Sequence, residues 1–386
     1  MKVLTKPTRR LTGVLIALLF MVPAVTALAG DDQAVLPSLT KIKTIASTVP
    51  ANGDVNPYGV AQVKRTIGML RAGNILVSNF NNSGNFQGTG TTIVEVAPDG
   101  GVSLFAAIEA AKLPGSCPGG VGLTTALVVL EEGWVIVGSL PTAKQGTVFT
   151  GPGCLIVIDS MGKPVETFYG SLINGPWDMT AFEGEHEAKL FVTNVLNGTV
   201  AAGGAVVHGG TVTRLNLQVS AGAKPVLQSI TTIGSGFPER TDPAALVIGP
   251  TGVGVRGSCA GDLDDCLEHD SSLLYVADTL SNRVAVIDGA LTRTTTAGIG
   301  RTLSSGGSLN GPLGLVVTPS GTVLTVNSGD GFITEISPHG GQLAKRQLDN
   351  TGSPPGAGAL FGLAFDPAAG VYFVDDASNT LNLLHH

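Results

Sequence analysis

An apolar pentamer repeated six times, a proline- or glycine-bearing turn ahead of most copies, and 54 Gly with 22 Pro among 386 residues predict an all-β chain wound into a six-bladed β-propeller of four-stranded antiparallel blades. The pentamers occupy residues 75–79, 135–139, 190–194, 274–278, 323–327 and 371–375, and each is too short and too rich in β-branched residues to be a helix. Glycine-rich punctuation between short apolar runs, with only 13% charged residues, is what many tight turns between buried strands require.

From the N-terminus, residues 1–29 read as a secretory signal peptide. Lys2, Lys6, Arg9 and Arg10 precede the apolar run 11–25, and Ala27-Leu28-Ala29 offers small residues for cleavage after Ala29. That run is short for a membrane span and no second one follows, so no integral span is expected and the mature chain is placed in the periplasm or outside the cell. Loss of four of the 22 basic residues leaves 18 against 29 acids, a formal charge of −11, which disfavours nucleic acid and anionic membranes as partners.

Residues 30–386 are expected to form one domain. Inner strands begin at the turns Asn56-Pro57-Tyr58-Gly59, Gly175-Pro176-Trp177-Asp178, Gly249-Pro250-Thr251-Gly252, Gly311-Pro312-Leu313-Gly314 and Ala359-Leu360-Phe361-Gly362, with Leu123-Thr124-Thr125-Ala126 in the remaining blade. Proline sets φ and glycine permits close backbone approach, as a crowded axis demands. The pentamers are second strands; residues 93–96, 155–158, 212–217, 284–287 and 333–336 supply third strands, and 102–105 and 226–230 fourth strands. The last repeat stops at its third strand, 381–384, whose free edge would invite aggregation. Residues 41–46 are expected to fill that edge and close the ring.

The segment Leu274-Tyr275-Val276-Ala277-Asp278-Thr279-Leu280-Ser281-Asn282-Arg283-Val284 resembles the core of an NHL repeat, and the blade pattern covers nearly all of the mature chain. The resemblance implies a propeller of the kind found in binding modules, peptide-amidating lyases and, more distantly, calcium-dependent lactonases of the SMP-30/gluconolactonase type. It speaks to architecture more than to chemistry.

Four cysteines in an exported chain predict two disulfides, with three possible connectivities. Blade order favours Cys117 with Cys154, both near one face, and Cys259 with Cys266, which share an insertion in blade 4.

Strand direction brings the pentamer ends and the inner-strand starts toward one opening, the upper mouth, ringed by loops 80–90, 140–153 and 195–210. The candidate ligand-binding residues are Asn79, Thr125, Trp177, Asp178, Asn194, Asp278, Asn327 and Asp375, with Ser139 completing the pentamer ends. Asn and Asp oxygens suit Ca²⁺, and Asp178, Asn194 and Asp278 are the candidate metal ligands. By the resemblance, a metal at such a mouth polarises a lactone carbonyl and activates water. The plainer reading is that these side chains close turns at strand ends.

Catalysis finds less support. No inner strand starts with the glutamate that lactonases of this type use, and His186, His208, His269 and His339 show no zinc-ligand spacing. Asp262-Leu263-Asp264-Asp265 lacks the spacing of an EF-hand, and no nucleophile elbow, phosphate loop, Cys-x-x-Cys or His-Glu-x-x-His occurs. The sequence reads first as a non-catalytic binding protein for a small molecule, glycan or protein. A divalent-metal-dependent lactonase or related hydrolase comes second, and a structural component of an envelope assembly third.

Overall fold

The computed structural model describes residues 1–3, 34–257 and 270–386. Residues 4–29 of the expected signal peptide, the expected Cys259–Cys266 pairing, His269 and the acidic run Asp262–Asp265 lie outside the described residues. No described helix is long and apolar enough to cross a membrane.

Among these residues six antiparallel sheets follow one another as blades of a propeller. Blade 1 comprises Val55–Gln62, Ile75–Asn81, Thr92–Val96 and Val102–Ala107, innermost strand first; blade 2 comprises Leu123–Val129, Val135–Ser139, Cys154–Ile158 and Pro164–Phe168. Blade 4 is Pro250–Arg256, Leu273–Asp278, Arg283–Asp288 and Arg301–Ser305, and blade 5 is Pro312–Val317, Val323–Asn327, Phe332–Ile336 and Gln342–Gln347. Second strands such as Ile75–Asn81 and Val135–Ser139 are buried at every position, because each lies between two strands and two neighbouring blades.

Blade 6 closes the ring. Leu360–Asp366, Gly370–Asp375 and Thr380–His385 are completed by Lys41–Ser47 from the other end of the chain, in antiparallel register from Lys41 opposite His385 to Ser47 opposite Thr380. The segment just before this strand adds a second clasp: Val35 and Leu36 donate their amides to the two carboxylate oxygens of Glu335 in blade 5, both at 2.9 Å. Leu36 and Leu39 are buried among Leu324, Leu360 and Phe373, so the N-terminal segment binds blade 5 to blade 6.

Blade 3 departs from the expected four strands. Pro176–Glu183, Glu187–Asn194 and Val207–Ser220 are followed by a 20-residue strand, Ala223–Asp242, and a fifth, Leu246–Ile248. Repeated register shifts between the two long strands bend them, and Arg240 to Asp242 then turn back onto Leu246 to Ile248 as a hairpin. Part of the expected loop 195–210 is the short helical turn Thr199–Ala202 and the start of a strand.

Cys117 and Cys154 form a disulfide that joins the connection entering blade 2 to that blade's third strand. Closing a 37-residue separation restricts the unfolded chain, so the paired substitution Cys117→Ala/Cys154→Ala is expected to lower stability by about 4 kcal/mol. Urea unfolding measures this. A loss under about 1 kcal/mol would mean that the sheet alone pins this connection.

Candidate functional site

In four blades the residue that follows the proline of the inner-strand turn, Tyr58, Trp177, Thr251 or Leu313, reaches the axis. Phe361, after Leu360, holds this place in blade 6, and Thr124 and Thr125 hold it in blade 2, which has no proline there; all are buried. Tyr58 stacks on Phe361 with ring centroids 3.8 Å apart and on Phe80 at 4.4 Å, and Trp177 lies 6.3 Å from Tyr58 and 6.5 Å from Phe361. These side chains crowd the central channel near its upper end.

Glycine at the next position lets adjacent inner strands approach. A Cβ on Gly252, Gly314 or Gly362 would overlap the carbonyl oxygen of Leu313, Phe361 or Tyr58, respectively, in the following blade. Blade 3 carries Asp178 at this place, and its carboxylate crosses to blade 4 to accept the Val253 amide at 3.0 Å. Hydroxyls one residue before the ends of the pentamers add links of the same kind. Ser78 accepts the Gly59 amide and donates to Thr124 O, and Thr193 accepts the Asp178 amide and donates to Thr251 O.

Two cavities meet this aromatic ring from opposite sides. The upper one, about 420 Å³, has Tyr58, Trp177 and Phe361 on its floor and Asn56, Asn81 and Asp376 on its wall. The blade 3 hairpin covers it. Leu246 and Val247 pack against the aromatic cluster, and Gln87 of the blade 1 loop donates to Ala244 O at 2.7 Å. Leu246 holds φ at +63°, an uncommon conformation for a bulky side chain, which places backbone strain within the covering hairpin. Loops of blades 1 and 2 are tied together there by Thr142, which bonds to Gly88 and Gln87 carbonyls.

The lower cavity, about 250 Å³, lies between the later halves of the inner strands and is mainly aliphatic, with Asp178 deep and Lys64 and Glu183 also lining it. Burial pushes Asp178 up to about 7, against the opposing effect of the Met179 and Val253 amides. Burial also raises Asp376 to about 7, helped by the adjacent Asp375, and Glu239 to about 8.

These three acids set a pH dependence. Each holds its proton more tightly folded than unfolded, so their contribution to stability is full below their ordinary values of 3.8 to 4.5 and is lost as pH rises to about 7 or 8. Asp270 and Asp366 are held below the ordinary value by hydrogen bonds and act oppositely, losing stability only in more acidic solution. The melting temperature is therefore expected to fall from pH 5 to pH 9. A rise across that interval would contradict the protonated burial of the three acids.

The expected site residues divide. Trp177 forms part of the upper floor, while Thr125 and Asp178 line the lower cavity. Asn79, Asn194, Asp278, Asn327 and Asp375 line neither cavity. Asn79 donates to Thr48 O and Thr92 Oγ1; Asn194 accepts the Asn174 amide; Asn327 donates to Ser308 O; and Asp375 accepts the Ser378 amide. Ser139 likewise closes a local turn with Gly120 and Gly122. Side chains on a second strand point alternately toward the two flanking blades, and neither direction is the axis. Sequence reasoning left out Tyr58, Phe361, Asn56, Asn81 and Asp376, and the repeated inner-strand turn was the available signal for Asn56, Tyr58 and Phe361 alone.

A calcium ion finds no shared set of free oxygens in the three candidate ligands. Asp278 is ion-paired with Arg283 at 2.8 Å, the Asn194 carbonyl is taken by Asn174, and Asp178 is held by Val253. Among the described residues no cluster of three or more His, Cys, Asp or Glu is arranged to hold a metal.

No family model matches the sequence, and no curated protein is similar to it. Solved structures are similar in fold. A gluconolactonase from Xanthomonas campestris superposes with a TM-score of 0.52 at 13% identity, covering 90% of this chain and 91% of that one. The calcium-binding protein regucalcin from Agrobacterium tumefaciens gives 0.50 at 13%, covering 88% and 93%. A luciferin-regenerating enzyme gives 0.50 at 12%, covering 89% and 94%. The chain is thus a six-bladed β-propeller, and its structural neighbours include propellers of the SMP-30/gluconolactonase type.

Proposed function

We infer that the protein is an extracytoplasmic binding protein that takes a small molecule in the upper cavity. One observation carries this reading: a cavity of about 420 Å³ that combines an aromatic floor with convergent amide and carboxylate groups under a covering hairpin. The Cys117–Cys154 disulfide supports an oxidising compartment outside the cytoplasm. A thermal-shift screen of the mature chain against small metabolites and glycans tests the reading. A ligand at one hundred times its Kd adds about 2.7 kcal/mol, so a true ligand raises the melting temperature by roughly 5 °C. If every compound leaves the melting temperature unchanged, the reading fails.

A second reading, a metal-dependent lactonase or related hydrolase, draws support from Asp178. A carboxyl that titrates at about 7 inside a cavity is suited to proton transfer. Under this reading Ca²⁺ stabilises the chain and enables hydrolysis in a lactone and ester screen, and Asp178→Asn abolishes turnover. No thermal response to divalent metals and no hydrolysis would remove it.

A further inference from the structure

We propose that the upper cavity recognises an organic ammonium cation, with the Tyr58, Trp177 and Phe361 rings supplying its apolar, electron-rich floor and Asp376 its counter-charge. The proposal rests on the binding reading above and names the ligand class of that site.

The hydrogen-bonding groups of the cavity are unequally committed. With its amide oriented to satisfy both neighbours, Asn56 donates to both oxygens of Asp376, at 2.5 and 3.1 Å, and accepts from Asn81 at 2.9 Å. The Asn81 amide also donates to Asn85 at 2.7 Å, and the Gln87 amide donates to Ala244 O. Both hydrogens of the Asn81 amide are thereby spent, and the Asn56 amide is turned to Asp376. The Asn81 carbonyl oxygen has no protein partner, although the residue is only 2% exposed and lines the cavity. A site with a spare acceptor and committed donors suits a ligand that brings positive charge and few acceptors of its own.

Charge points the same way. No Lys or Arg lines the cavity among the described residues, and the nearby Arg240 is paired with Asp242 at 2.9 Å. An anion would meet two aspartates and no free cation. A neutral polyol would find acceptors without matching donors. An ammonium group gains attraction both from an aromatic face and from a carboxylate shielded from water.

The titratable groups around the site are Asp376, Asp375 beside it, Tyr58, and Asp242 with its Arg240 partner. Tyr58 is held well above its ordinary value by burial and then by Asp376, so it stays neutral. Burial followed by Asp375 raises Asp376, the Asn56 amide opposes them, and a bound cation would favour the ionised carboxyl and so release a proton.

The test uses the mature chain with choline and its neutral carbon isostere, 3,3-dimethylbutan-1-ol, titrated calorimetrically at pH 8 and, at pH 7, in buffers of different ionisation enthalpy. Choline is expected to bind at one site at least tenfold more tightly than the isostere and, at pH 7, to release a fraction of a proton. Asp376→Asn should bring the ratio close to one. If that variant does not fold, Phe361→Leu serves instead, and should weaken choline more than the isostere. An isostere that binds as tightly as choline overturns cation recognition but leaves a small-molecule site standing. If neither probe binds while a neutral compound from the screen does, the ligand class is again overturned and the site stands. If neither probe nor any screened compound binds, both readings fall.

Discussion

Removal of residues 34–47 from the chain 30–386 is expected to abolish the soluble monomer. The deletion strips blade 6 of its outer strand and leaves Thr380–His385 as an open edge, ready to pair with other chains. It also exposes the pocket filled by Leu36 and Leu39, worth about 1.5–3 kcal/mol for each side chain. Glu335 would lose both backbone donors while remaining buried, retaining only the Thr322 hydroxyl. Together these losses reach the total stability of an ordinary domain, roughly 5–15 kcal/mol. Size-exclusion chromatography should show aggregate, and a peptide of residues 34–48 added during refolding should restore monomer. A deleted chain that stays monomeric, with an unchanged urea midpoint, would contradict closure by this strand.

Gly314→Ala is the point substitution expected to cost most. Gly314 has an ordinary negative φ, so its cost comes from space: a methyl group there would overlap Phe361 O on the neighbouring inner strand. Relief requires blade 5 and blade 6 to separate at the axis, beside the Tyr58–Phe361 stack. We expect a loss of about 3 kcal/mol, the upper end for an overpacked core, measured by urea unfolding. Gly101→Ala is the control, since its methyl group would only touch the Asp99 side chain at 3.4 Å, and it should be nearly neutral. Equal stability of the two variants would mean that the inner strands are not held at this separation by glycine.

The ring itself was legible because its cause is local and repeated. An apolar pentamer followed by turn residues makes a strand wherever it occurs, and six copies need one common way to bury both faces. Strand closure was legible for a related reason, since an odd strand count in the last repeat leaves an edge that must be paired. Blade 3 was less so. Its 20-residue strand, Ala223–Asp242, contains Pro225, Gly234, Gly236 and Pro238, which read as breaks, but bulges absorb them while the pairing continues. The site was half legible. Trp177 stood out by its turn, whereas Asn79, Asn194, Asp278, Asn327 and Asp375 were grouped by height along the axis, without regard to the direction in which each side chain leaves its strand. Asp376 and Asn81 carry no pattern of their own, and only the ring closure and the blade 1 loop bring them beside Tyr58.

Trp177 offers the most direct measurement of where a ligand binds. In a Trp134→Phe background its emission reports the aromatic floor alone, because the chain has two tryptophans. The strongest stabilising compound from the screen should change that emission saturably. Asp376→Asn should weaken the response at least tenfold, and Asp178→Asn, below the ring, should leave its midpoint unchanged. The reverse pattern, with binding lost on changing Asp178 and kept on changing Asp376, would move the site to the lower cavity and contradict the account.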